Sequence, residues 1–216
     1  MQHETPDFLK LFEDAPVPVI PVLVIEHAQD AVPIAQALVA GGLRILEITL
    51  RTRDALDAVS LIRNSIPEAI VGVGSVIDVK QFGAAVEAGA LFAVSPGMTS
   101  KLAAGAASSR LPWLPGAQTV SEVLELREQG YRMVKLFPSH PAGGINFLRA
   151  ILGPVPDMKF CPTGGVSATA TRDYLALPNV VCVGGSWLTT PSLIAERRWE
   201  DIQTLAREAS SLAGSL

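Results

Sequence analysis

Short runs of apolar and β-branched residues recur eight times along this chain, and the intervals between their starts run from 20 to 27 residues. The runs are PVIPVLVI from Pro18, RILEITL from Arg44, AIVGVGSV from Ala69, LFAVSPG from Leu91, PWLPGA from Pro112, RMVKLFP from Arg132, KFCPTGG from Lys159 and VVCVGGS from Val180. Each interval holds an Ala- and Leu-rich stretch of helical periodicity, such as AVPIAQALVAGG or SEVLELREQG. Runs of this length and composition read as strands, so the unit is strand followed by helix. Glycines close the helices where a left-handed C-cap is wanted, at Gly41-Gly42, Gly89 and Gly130. Parallel strands with right-handed helical crossovers either open into a doubly wound sheet or close into a barrel, and eight similar units favour closure. The expected fold is α/β, a (β/α)8 TIM barrel, with the open doubly wound sheet as its structural alternative.

PDFLKLFED reads as a short N-terminal helix capping the bottom of the barrel, and RRWEDIQTLAREASSLA as the closing C-terminal helix. No linker, charge run or low-complexity segment divides the chain, so residues 1–216 are expected to form one domain. With 49% hydrophobic and 18% charged residues the sequence has ample core and too little charge for disorder. Gly 18 and Pro 16 exclude a long coiled coil.

A net charge of -4 without any basic run argues against a nucleic-acid partner. APVPVIPVLVI, the most apolar early stretch, is broken by three prolines and far too short for a membrane span, and the N-terminus lacks the pattern of a signal peptide. Cys161 and Cys182 lie in apolar stretches, matching neither a disulfide scaffold nor a zinc knuckle, so a reduced cytoplasm is the simplest location. His3, His27 and His140 are scattered without metal-ligand spacing, and neither a GxGxxG after the first strand nor a GxxxxGK[ST] occurs. No metal and no cofactor are therefore expected.

Two strands carry polar residues where a barrel strand is usually apolar. In Ile45-Leu46-Glu47-Ile48-Thr49-Leu50-Arg51 the apolar residues alternate with Glu47, Thr49 and Arg51, which share one face. In a barrel the apolar set packs on the helices and the polar set points inward, toward the C-terminal mouth. Met133-Val134-Lys135-Leu136-Phe137-Pro138 sets a lone lysine among apolar neighbours. Burial there favours the neutral, nucleophilic amine, while a purely structural ion pair with Glu47 is the other reading. The strand-end pairs Gly164-Gly165 and Gly184-Gly185, the latter followed by Ser186, lead into helices. Glycines at the loops after the seventh and eighth strands of a barrel let backbone N–H groups approach a phosphate. Tight turns are the plainer alternative. Ser95-Pro96-Gly97 and Pro115-Gly116 are further turns shaping the mouth.

The strings LVAGGLRILEITLRT (Leu38 to Thr52), VGVGSV (Val71 to Val76), FAVSPGMT, VKLFP, FCPTGGVS and VGGSW, in this order over nearly the whole chain, closely resemble the 2-keto-3-deoxy-6-phosphogluconate aldolases. That family is also called the 2-dehydro-3-deoxy-phosphogluconate or 4-hydroxy-2-oxoglutarate aldolases. The resemblance implies a class I aldolase on a (β/α)8 barrel, usually a homotrimer, splitting a phosphorylated keto-deoxy sugar acid into pyruvate and glyceraldehyde 3-phosphate in the Entner-Doudoroff pathway. Carried over by position, Lys135 matches the Schiff-base lysine and Glu47 the general acid/base. Arg51 matches the arginine that holds the pyruvate carboxylate, and Phe137 the aromatic residue against the pyruvyl part. Pro96 lies in the SPG turn of the mouth, and Gly164, Gly165, Gly185 and Ser186 match the phosphate end. Ser75 stands where the family's GxGT has threonine, which keeps a hydroxyl. Ser139-His140 stands where many members read Ala-Glu, beside the site. Competing readings are a phosphosugar isomerase or epimerase using Glu47 and Lys135 without a covalent adduct, and a non-catalytic phosphosugar-binding barrel.

Overall fold

The computed structural model describes residues 8–14 and 16–212. His3 and the first residues of the expected N-terminal helix lie outside them; within them α1 covers Lys10–Asp14. All eight expected strand runs form strands, and every strand pairing is parallel. They are β1 (Val19–Leu23), β2 (Ile45–Thr49), β3 (Ile70–Gly74), β4 (Ala93–Val94), β5 (Trp113–Leu114), β6 (Gly116–Ala117), β7 (Met133–Leu136), β8 (Lys159–Pro162) and β9 (Val183–Gly185).

The fifth run yields two of these because Pro115 interrupts it. β5 pairs back to β4, whereas β6 pairs forward to β7, so five consecutive residues hand the chain from one sheet to the next. Pro115 has no N–H to give a ladder, yet its carbonyl still accepts from the Lys135 N–H at 2.8 Å. The result is a six-stranded arc in the order β5-β4-β3-β2-β1-β9 and a three-stranded arc in the order β6-β7-β8. At the other junction, single parallel bridges join Phe160 to Val180 and Thr163 to Gly184. The architecture is α/β with parallel strands in two arcs.

Helices follow the strands: α2 (Ala31–Ala40), α3 (Ala55–Ser65), α4 (Lys80–Glu87), α5 (Ser100–Ser109), α6 (Val120–Glu128), α7 (Gly144–Leu152), α8 (Ala168–Leu175), the short α9 (Pro191–Ala195) and the closing α10 (Trp199–Ser210). The expected left-handed glycines are present at Gly42, Gly89 and Gly130, with φ of +96°, +84° and +94°. α6 starts with a capping box in which Thr119 and Glu122 exchange side-chain and backbone hydrogen bonds. α10 packs back on α2 so closely that a Cβ at Gly41 would lie 2.4 Å from that of Ala206.

Strand register separates the two faces. Trp113 points outward, edge-on to Phe82 of α4 and to Tyr131, with ring centroids 5.9 and 5.5 Å away. Glu47 pairs with Val22 and with Gly72, and Lys135 with Gly116 and with Cys161; partners in a ladder share a face, so these residues point inward together. Phe92 fills the space over Gly72, and Phe8, just before α1, meets Phe92 edge-on at 5.3 Å. Phe8 thus packs under the interior, at the end where the sequence places a capping helix.

The turn after β4 is tied to the outer layer by one side chain. Ser95 is fully buried, donates to the Gly97 carbonyl at 2.7 Å and accepts from the Trp113 indole N–H at 3.1 Å. Ser95→Ala strands that N–H in the core, with an expected loss of about 1–3 kcal/mol. A shifted urea midpoint at unchanged slope is the measure; an unshifted midpoint would show that the indole finds another acceptor.

Candidate active site

Glu47 and Lys135, 88 residues apart in sequence, meet inside the arcs with Nζ 3.1 Å from Oε1. They are 2% and 5% exposed. An exposed pair at this distance would matter little, but here water is nearly excluded and the proton on the nitrogen has one carboxylate to go to. The Phe137 ring lies against the amine, with its centroid 5.3 Å from Nζ. The alternation read in β2 pointed Glu47 inward, and the ladder partners of Lys135 set the lysine on the facing inner wall.

Space for the pair comes from missing side chains. A Cβ on Gly74 would fall 2.1 Å from Glu47 Oε1, so the carboxyl group lies directly over that glycine. Gly116 gives similar room to the Pro96 carbonyl, 2.2 Å from where its Cβ would be. Gly184 does so for Thr163, whose Oγ1 would stand 2.2 Å from a Cβ there. Pro96 is thus tied to the lysine indirectly, because Gly116 is the ladder partner of Lys135.

Arg51 and Ser75 form a second cluster at the strand ends. Arg51 is exposed, beyond the end of β2, and its Nε donates to Ser75 Oγ at 3.0 Å. Ser75 follows Gly74 and has φ +58°, a left-handed conformation that β-branched residues adopt poorly. Thr49, on the same strand face, is spent on structure, donating to the Leu23 carbonyl at 2.9 Å.

The two glycine turns leave from bridged residues, Thr163 and Gly184. Gly164 and Gly165 have φ of +91° and +77°, which only glycine adopts without cost. Each also accommodates a neighbour: Gly164 meets Phe137 and Pro138, Gly165 meets His140, and Gly185 lies under the Trp187 ring. Ser186 is exposed at the edge of a cavity of about 750 Å³ that Val22, His27, Trp187 and Arg197 also line. The geometry thus brings Lys135, Glu47 and Phe137 into contact, links Arg51 to Ser75, and sets the glycine turns and Ser186 at the strand ends around them.

Sequence reasoning gave Thr163 no role and read the two cysteines only as reduced thiols, without placing them beside the pair. Thr163 is buried on the inner face two residues beyond Cys161, and its hydroxyl reaches only the Cys161 carbonyl at 3.4 Å and Sγ at 3.7 Å. Strand alternation from Lys135's partner Cys161 was the signal that points to it. Burial pushes the Cys182 thiol well above its ordinary range, and neighbouring Cys161 and the Glu47 charge add to this. Cys182 is therefore a thiol and no competitor to the amine as nucleophile. Among the described residues no group of three or more His, Cys, Asp or Glu side chains is arranged to hold a metal.

A family profile described as "KDPG and KHG aldolase" matches residues 13–205. The chain is 47% identical to the KHG/KDPG aldolase of Escherichia coli over 192 residues, 89% of this chain and 90% of that protein. It is 45% identical to the 2-dehydro-3-deoxy-phosphogluconate aldolase of Pseudoalteromonas atlantica over 199 residues, 92% and 93% of the two chains. Among solved structures, the KDPG aldolase of Legionella pneumophila, with pyruvate captured at low pH as a covalent carbinolamine intermediate, superposes with a TM-score of 0.88 at 46% identity, covering 91% of this chain and 95% of that one.

The buried pair gives a direct test of its geometry. Glu47→Leu leaves the lysine charge without its partner, and the expected cost is about 3–5 kcal/mol in chemical denaturation. Adding Lys135→Met to that variant is expected to recover most of the loss. Equal stability of wild type and the single variant would mean that the two groups do not share a dry site.

Proposed function

Because the chain belongs to the KDPG and KHG aldolase family, we propose that it is a class I aldolase that cleaves 2-dehydro-3-deoxy-6-phosphogluconate to pyruvate and glyceraldehyde 3-phosphate, with 4-hydroxy-2-oxoglutarate, cleaved to pyruvate and glyoxylate, as a second substrate. The observation that carries this reading is the 3.1 Å contact between a buried lysine and a buried carboxylate.

The chemistry follows from the two groups. Glu47 takes a proton from Lys135, and the freed amine attacks the C2 ketone to form a carbinolamine. Loss of water, with the proton returned by Glu47, gives an iminium that draws electrons from the C3–C4 bond. Glu47 then removes the proton of the C4 hydroxyl, the C3–C4 bond breaks, and its electron pair enters the iminium to give an enamine. The aldehyde leaves. Protonation at C3 and addition of water to the iminium release pyruvate and restore the amine. Arg51, oriented by Ser75, holds the pyruvyl carboxylate; Phe137 and Pro96 wall the pyruvyl part; Gly164, Gly165, Gly185 and Ser186 receive the phosphate. Anchoring the substrate at both ends spends binding energy on alignment of the bond between them.

The same reading takes the two arcs as one closed (β/α)8 barrel forming a single domain over residues 1–216. It is supported by the unbroken passage through Pro115 and by the bridges from β8 toward β9. A homotrimer is part of it, supported by the apolar strip of Ile77, Val79 and Val86, which are 71%, 43% and 46% exposed; sedimentation reads the assembly directly. A cytoplasmic location agrees with the two free, buried cysteines. No helix among the described residues is long and apolar enough to cross a membrane.

Borohydride added with pyruvate is expected to leave a reduced pyruvyl adduct on Lys135, located by peptide mass spectrometry. Active enzyme with an unlabelled Lys135 would sink the assignment and favour acid/base chemistry without an adduct. Turnover is expected to persist in EDTA, and inhibition reversed by a divalent metal would point to a metal-held enolate instead.

A further inference from the structure

The loop that follows the lysine strand is stitched to the first glycine turn. The Ser139 N–H donates to the Thr163 carbonyl at 2.7 Å and the His140 N–H to the Gly164 carbonyl at 2.9 Å. Ser139 is fully buried, and its hydroxyl meets the Tyr174 hydroxyl of α8 at 3.2 Å. Tyr174 stands in the last turn of α8, the helix that the Gly164-Gly165 turn leads into, so Ser139 ties the loop to that helix.

His140, next in the chain, is exposed and lies directly on the turn. A Cβ on Gly165 would be 2.5 Å from His140 Cβ and 3.4 Å from its Cγ. Among the described residues no hydrogen bond or ion pair engages the imidazole nitrogens, so beside the turn stands a donor that no described residue receives. An imidazole presents at least one N–H in either protonation state. A hydrogen bond from such a group to a phosphate oxygen is charge-assisted and stronger than a neutral one.

We propose that His140 is a specificity-determining residue of this enzyme, donating from its imidazole to the phosphate of the sugar acid, with Ser139 as the positioning residue that holds it over the Gly164-Gly165 turn. This rests on the reading that the turn receives the phosphate. A carboxylate in the place of His140 would have no proton to give and would repel the phosphate, whereas the imidazole donates to it and so biases this chain toward the phosphorylated substrate. The shorter substrate 4-hydroxy-2-oxoglutarate ends at C5 in a carboxylate and does not extend to the group that His140 serves.

The test compares kcat/KM on 2-dehydro-3-deoxy-6-phosphogluconate and on 4-hydroxy-2-oxoglutarate for the full chain and for His140→Glu, His140→Gln and Ser139→Ala. His140→Glu is expected to lower the ratio of the two values about tenfold, mainly through KM for the phosphorylated substrate, as the loss of one charge-assisted hydrogen bond implies. His140→Gln, which keeps a donor, and Ser139→Ala, which loosens the loop, are expected to lower it less. Competitive inhibition by inorganic phosphate is expected to weaken in parallel. A merely structural role would reduce both kcat/KM values together, and an unchanged ratio with unchanged phosphate inhibition overturns the proposal while the aldolase reading stands. Wild-type enzyme that turns over neither substrate overturns that reading, and this proposal with it.

Discussion

A lysine and a glutamate brought together almost out of reach of water set the terms for the rest of this molecule. Two charges in such a place are costly, and their attraction offsets the cost only when distance and surroundings are tightly controlled. The control is distributed. β2 and β7 supply the two groups from well-separated parts of the chain, their ladder registers turn both inward, and the Phe137 ring lies against the amine. Buried ion pairs are weak stabilisers beside apolar packing, so stability alone is a poor reason for this one. In the proposed reaction its value is chemical: a carboxylate in contact with an amine gives and takes the protons that imine formation and bond cleavage require.

Around that pair the strand ends form a graded environment. The inner end is dry and holds the ion pair. Farther out, Arg51 and Ser75 are accessible and polar, suited to a carboxylate that arrives and departs with solvent. The glycine turns and Ser186 lie at the rim, where the strands end. A substrate with an anion at each end and a ketone near one of them fits this gradient end to end.

Much of this was legible in the residues. Strict alternation around Glu47 and a lone lysine in an apolar strand singled out the two groups that the structure brings into contact, because period-two geometry leaves little choice of face. The eight strand runs were legible for the same reason. Other features depend on what lies across space. Pro115 sits in an apolar run like any other, and only its neighbours decide that it divides one pairing from the next. Thr163 looked like part of a turn motif, and Thr49 like a partner of Glu47; each is assigned by the carbonyl its hydroxyl reaches. The glycine pairs suggested an open anion site, whereas the structure adds a packing reason for each, since Phe137, His140 and Trp187 lie where their side chains would be.

Those inward glycines reverse the usual sensitivity of a protein interior. An ordinary core is injured by substitutions that remove atoms and leave a void. At Gly72, Gly74, Gly116 and Gly184 no substitution can remove anything, and every one adds bulk against Phe92, Glu47, Pro96 or Thr163. The room those groups occupy is left to them by the genetic code's smallest residue, and random variation there runs in one direction, toward obstruction. Such a centre is defined by what its glycines leave out, and it tolerates substitution less readily than the apolar shell that encloses it.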